Sequence, residues 1–219
     1  MYVESAEPEG DKKFWGVVHE VCVEEPKLFI ATLNQQDYMM NLLENLSDEW
    51  RPTRRCTTVG QAGPPPEIDT KEACPAEVRS ILGSLMYAAR CTRLDISYLV
   101  ARLARYTDRW CEWAAKELKH LLGYIAETVD YGLVYRMEGT VDFEMMKLVT
   151  FSDANFAAPY STGGHIIFLS DGRRSMLPLE WRSKKQQISA TGESEALEWG
   201  AAAKAAENLA RRASSRRCV

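Results

Sequence analysis

The stretch MKLVTFSD, residues 146–153, decides the fold. Its side chains alternate: Val149, Phe151 and Asp153 fall on one face of an extended chain, and Leu148, Thr150 and Ser152 on the other. Both faces are mostly apolar, which predicts a strand placed centrally in its sheet. YGLVYR (131–136) reads as a strand before it, and MEGTVD (137–142) as the turn. HIIFLSD (165–171) and SMLPLEWRSK (175–184) read as the next two strands, with DGRR turning between them. Over 193–212 the period becomes helical in an Ala-rich run. Strands followed by one long helix put this part in the α/β or α+β class.

Upstream, 76–127 reads as all-helical. One apolar stripe holds Val78, Ile81, Leu82, Leu85, Met86 and Ala89. A second helix starts near Thr92, where Asp95 three residues on predicts a variant capping box. Its stripe is Ile96, Leu99, Val100, Leu103 and Tyr106. The third carries Trp110, Trp113, Ala114, Leu118, Leu121, Leu122 and Ile125. A small three-helix pack buries all three stripes. Residues 51–75, with GQAGPPPEIDT and Pro75, read as a linker, because three consecutive prolines exclude a helix. Before it, FWGVVHEVCVEE and LFIATL read as strands, and the segment from Gln36 as a helix with Tyr38, Leu42, Leu43 and Leu46 on one stripe. Residues 1–13 are polar and acidic and read as disordered or as a cut edge.

The 219 residues allow one or two domains. Hydrophobic residues at 46% are enough for a core. A net charge of -4 excludes a broadly cationic surface, so any nucleic-acid contact rests on local patches. Six cysteines stand at 22, 56, 74, 91, 111 and 218, none with C-x-x-C spacing, which predicts reduced thiols in an intracellular protein of unassigned compartment. No run approaches the ~18 apolar residues of a membrane span.

Two acids carry the candidate chemistry. Asp153 ends its strand, and Glu193 lies in the first turn of the long helix. Glu193 shares a helix face with Leu197, Gly200, Ala201 and Lys204, whose small members predict that this face lies on the sheet and aims Glu193 at Asp153. Glu195 and Glu198 then point elsewhere. Converging carboxylates suit a hard divalent cation such as Mg²⁺ and two-metal phosphodiester hydrolysis. On spacing alone, a turn residue and a macrodipole residue explain the same two acids. Arg182, Lys184 and Lys185 beside Trp181 form a basic patch that can touch a phosphate backbone or simply be a solvated strand end. Arg211, Arg212, Arg216 and Arg217 suit the negative end of the helix or a nucleic-acid tail. His19, His120 and His165 lack ligand spacing, and His165 reads as structural.

RSILGSLMYAARCTRLDISYLVARLARY (79–106) resembles the segment that follows the reverse transcriptase core in copia-type retrotransposon Pol polyproteins. AAKELKHLLGYIAETVDYGLVY (114–135), FSDANFA (151–157), STGGHIIFL (161–169), EWRSKKQQISATGESEA (180–196) and FIATLNQQDYMMNLLENL (29–46) resemble further pieces of that family, in the family's order. The resemblance implies a tail of reverse transcriptase at 14–50, the linker at 51–75, helical connection at 76–130 and the opening part of a ribonuclease H-like fold at 141–213, with three or four strands before a long helix. It implies Asp153 and Glu193 as metal-binding catalytic acids, Mg²⁺ as cofactor, and an RNA–DNA hybrid as substrate. The family's later nuclease acids and its YVDD-type polymerase strand have no counterpart in the sequence. Asn155-Phe156 replaces the usual Asp-Trp, Leu94 a Pro, and Gly192 a Thr. The expectation is a truncated, inactive nuclease domain, or else a non-catalytic nucleic-acid-binding remnant.

Overall fold

The computed structural model describes residues 12–14, 17–24, 28–61, 72–138, 145–155, 161–172, 175–186 and 191–215. Side chains are described from residue 30 onward, except at 138, 155, 191–194 and 212–215. The chain is mixed α and β. Its elements are β1 (Lys12–Phe14), β2 (Val17–Glu24), β3 (Leu28–Asn34), α1 (Gln36–Glu44), α2 (Ala76–Cys91), α3 (Ser97–Leu103), α4 (Glu112–Glu127), β4 (Gly132–Glu138), β5 (Lys147–Asn155), β6 (Thr162–Ser170), β7 (Met176–Lys185) and α5 (Thr191–Ser215). Single 3-10 turns at Leu94–Ile96 and Ala104–Tyr106 flank α3. Contacts divide the chain into two units: Lys13–His19 with Leu33–Leu133, and Met1–Lys12 with Glu20–Thr32 and Val134–Val219.

The helical unit is built on the stripes read from the sequence. Val78, Leu85 and Ala88 of α2, and Ala114, Leu118, Leu121, Leu122 and Ile125 of α4, are wholly buried in one cluster with Ile96 and Leu103. Each large apolar side chain so buried contributes ~1.5–3 kcal/mol. Residues 51–61 have no regular structure, yet they lie against α4. The Cys56 N–H donates to the Gly123 carbonyl at 3.2 Å, and the Gln61 N–H donates to the buried Glu117 carboxylate at 3.3 Å. The prolines at 64–66 fall outside the described residues.

The predicted capping box at Thr92 is not formed. The Thr92 hydroxyl donates to Gln35 Oε1 at 2.8 Å, and Asp95 binds Arg93 instead of a helix N–H. Thr92 is taken by a partner 57 residues away, and Asp95 by its near neighbour Arg93 together with the distant Tyr124 hydroxyl, so a capping rule alone does not foresee either outcome.

In the other unit β5, β6 and β7 form an antiparallel sheet in that order. The ladder pairs Asp153 with Gly164, Ser152 with His165 and His165 with Arg182, with an irregularity between Ile167 and Phe168. The Tyr135 hydroxyl of β4 donates to the Pro178 carbonyl of β7 at 2.8 Å. Helix α5 packs back on β5 and β6. The central position expected for β5 is not observed: among the described residues it is an edge strand, and Phe151 is 55% exposed. Its apolar residues reflect the Phe151–Phe168 edge-to-face contact on one face and the packing of α5 on the other.

Candidate functional site

Directly opposed residues of an antiparallel pair share a face of the sheet. Ser152, His165 and Arg182 therefore share one face, and Asp153, Gly164 and Ser183 the other. Helix α5 occupies the first face, because Glu198 of α5 reaches His165 and lies against Gly163. Asp153, whose side chain is exposed, leaves from the opposite face. Glu193 opens α5, but its side chain lies outside the described residues, so no separation from Asp153 is assigned.

The side of α5 that meets the sheet is not the one expected. Glu198 and Ala202 are 6% and 1% exposed, whereas Leu197 is 49% exposed and nothing lies within 4 Å of a Cβ placed on Gly200. At 3.6 residues per turn, Glu193 stands roughly 140° around the helix from Glu198. Small residues suggested the wrong stripe. The inward acid is accepted because Gly163 leaves room for it and two donors meet it.

Those donors make Glu198 the centre of a buried polar cluster. His165 Nδ1 lies 2.7 Å from Glu198 Oε1, and Gln186 Nε2 donates to Glu198 Oε2 at 3.2 Å. With the carboxylate as acceptor, this contact requires the His165 tautomer that carries its hydrogen on Nδ1. The Gln186 N–H donates to the Ser161 carbonyl at 2.8 Å and extends the ladder beyond β7. His165 Nε2 is buried and faces Glu180 Oε1 at 3.8 Å, too far for a hydrogen bond. This His–Glu pair was missed in the sequence because its members are 33 residues apart on a strand and a helix. Its seclusion suits it to pinning α5 rather than to meeting a substrate.

Magnesium needs oxygen ligands converging at ~2.0–2.1 Å. The acids described on β5 and on the buried stripe of α5 do not fit that requirement, since Asp153 and Glu198 leave from opposite faces and Glu198 is already bound. No chemical step is derived through a metal. The basic trio also divides. Arg182 and Lys184 pair with His165 and Gly163 on the α5 face, whereas Lys185 pairs with Thr162 on the Asp153 face. Among the described residues no helix is long and apolar enough to cross a membrane.

No family model matches the chain, and no solved structure matches it. Curated proteins do, among them the following three. It is 34% identical over 163 residues to the retrovirus-related Pol polyprotein from transposon RE1 of Arabidopsis thaliana, covering 71% of this chain and 10% of that protein. To the corresponding polyprotein from transposon RE2 of the same plant it is 37% identical over 122 residues, covering 54% of this chain and 8% of that protein. To the secreted RxLR effector protein 161 of Plasmopara viticola it is 34% identical over 120 residues, covering 53% of this chain and 78% of that protein. The chain thus spans about a tenth of the length of the two transposon polyproteins. It belongs to the family of retrovirus-related Pol polyproteins carried by transposons.

Proposed function

We propose that β5, β6, β7 and α5 are a ribonuclease H-like unit of a transposon Pol polyprotein, which contacts an RNA–DNA hybrid through its phosphate backbone without cleaving it. The reading is carried by one observation: three antiparallel strands in chain order are followed by a long helix that packs on the first two. FSDAN lies on β5, STGGHIIFL begins at the start of β6, and EWRSKK lies on β7, in the order the copia-type resemblance implies. Exposed Arg182 and Lys184 supply charge for phosphates. Lack of cleavage is supported by the separation of Asp153 from the α5 face and by the commitment of Glu198 to His165 and Gln186.

The test uses the full chain and a labelled RNA–DNA hybrid, with Mg²⁺ or Mn²⁺ added. Binding that weakens steeply with salt, with the RNA strand left intact, is the expected result. RNA cleavage that disappears in Asp153→Asn would instead establish an active nuclease that depends on Asp153. A chain that neither binds nor cleaves the hybrid would overturn the nucleic-acid reading altogether.

A further inference from the structure

A cavity of about 400 Å³ opens in the helical unit, between the turn after α1, the segment leading into α2 and the start of α4. Two indoles, Trp50 and Trp110, form walls, with ring centroids 6.4 Å apart and planes inclined at 65°. Trp50 is only 2% exposed, so its wall is fixed, and the indole with surface to offer a ligand is the half-buried Trp110. The Trp110 backbone N–H donates to the Glu72 backbone carbonyl at 2.6 Å and ties the α2 approach to the start of α4. Three carboxylic side chains, Glu49, Glu72 and Glu112, line the same cavity, and among the described residues no basic side chain does. Glu112 pairs with Lys116 at 2.7 Å. Among the described residues, the carboxylates of Glu49 and Glu72 have no ion-pair partner.

Apolar walls with uncompensated negative charge at the rim select against anions and give a neutral ligand no electrostatic gain. A small hydrated metal ion gains nothing from indole faces. An organic cation gains from both, because the ring face carries the negative part of the aromatic quadrupole. The protein already uses one of these rings in this way: Lys119 Nζ lies 5.1 Å from the centre of the Trp50 ring. Trp110 carries no such cation among the described residues. We propose that this cavity binds an organic cation of the alkylammonium or alkylguanidinium class, the chemistry shared by free small amines and by lysine or arginine side chains of a basic peptide.

The indole N–H signals of Trp50 and Trp110 report the site in nitrogen-labelled full chain. Choline and methylguanidinium should shift them saturably. The neutral isostere of choline, 3,3-dimethylbutan-1-ol, should bind at least about fivefold more weakly. The double variant Glu49→Gln/Glu72→Gln changes only exposed positions and leaves the fold intact. It should lower choline affinity roughly tenfold, the effect of two partly screened charges. A short arginine-containing peptide that binds more tightly than methylguanidinium would identify a peptide source, and equal affinity a free cation. Absence of saturable shifts, equal binding of the neutral isostere, or unchanged affinity in the double variant would each overturn the proposal.

Discussion

The Arg93 guanidinium closes the C-terminal end of α4 at Thr128: Nη1 donates to the Thr128 carbonyl and Nη2 to the Thr128 hydroxyl, each at 2.8 Å. The same guanidinium grips Asp95 through Nε at 3.0 Å and Nη2 at 2.9 Å, and it lies over the rings of Tyr124 and Tyr131. Arg93 is 1% exposed, so its charge is matched almost entirely by protein. It complements both a carboxylate and the negative end of a helix. Arg93→Met leaves Asp95 and the α4 terminus without their donors and should cost ~3–5 kcal/mol. Arg93→Lys keeps the charge but cannot reproduce the fork, and should cost ~1–3 kcal/mol. Urea unfolding of the two variants measures this. A lysine variant as stable as the parent would mean that charge alone, and not the fork, holds the junction.

Tyr124 makes the same junction sensitive to alkali. Its hydroxyl donates to Asp95 Oδ2 at 2.9 Å. Burial comes first among the causes that raise its pKa, followed by the hydrogen bond to Asp95 and the charge of that residue. The folded protein therefore holds this proton more tightly than the unfolded chain. That contribution is complete below the ordinary tyrosine value of ~10 and is lost as pH rises through the higher folded value. Stability measured above about pH 10 should fall less steeply in Tyr124→Phe than in the parent. Identical slopes would remove Tyr124 from the alkaline transition.

Two glycines in the helical unit should respond to alanine with opposite signs. A Cβ at Gly83, in the middle of α2, would have nothing within 4 Å, so Gly83→Ala should stabilise by ~1 kcal/mol through helix propensity. A Cβ at Gly123, in α4, would stand 2.6 Å from the Arg54 carbonyl oxygen and 3.0 Å from Cys56 Sγ. That oxygen is backbone and cannot swing away. Gly123→Ala should destabilise in spite of its better propensity, because the 51–61 segment must lift from α4. Melting temperatures that move the same way in both variants would contradict the docked position of that segment.

What was legible in the sequence is what periodicity encodes. The stripes of Val78 to Ala89 and of Leu118 to Ile125 marked α2 and α4, and the alternation of Leu148 to Asp153 marked β5. Parity separated Asp153 from Ser152, but it could not say which side the helix would cover. That choice depends on Gly163, which has no side chain, and on His165, which offers a donor, both on a different strand. Burial preferences argue against an inward Glu198, since glutamate is seldom buried unless paired. Its partner became visible only when β6 and α5 met. Thr92 and Asp95 illustrate the same limit, since the distant Gln35 and Tyr124 compete for side chains that a local rule assigns to a cap.

The Glu198 cluster supplies a test that separates packing from polar pairing. Glu198→Ala removes both acceptors and leaves His165 Nδ1 and the Gln186 amide to be satisfied elsewhere in a buried setting, a loss of ~2–4 kcal/mol. Glu198→Gln keeps one acceptor oxygen, so only one of the two contacts survives and the loss should be smaller. Gly163→Ala acts from the opposite side, since its new Cβ would run into both the Glu198 carboxylate and the Gln186 amide. Alone it should destabilise, although alanine is otherwise at least as good as glycine in a strand. Combined with Glu198→Ala, most of the obstruction is gone, and the cost of Gly163→Ala should shrink by ~1 kcal/mol or more. Additive costs in that double-mutant cycle would mean that Glu198 does not sit over Gly163, and the seating of α5 on β6 would need to be redrawn.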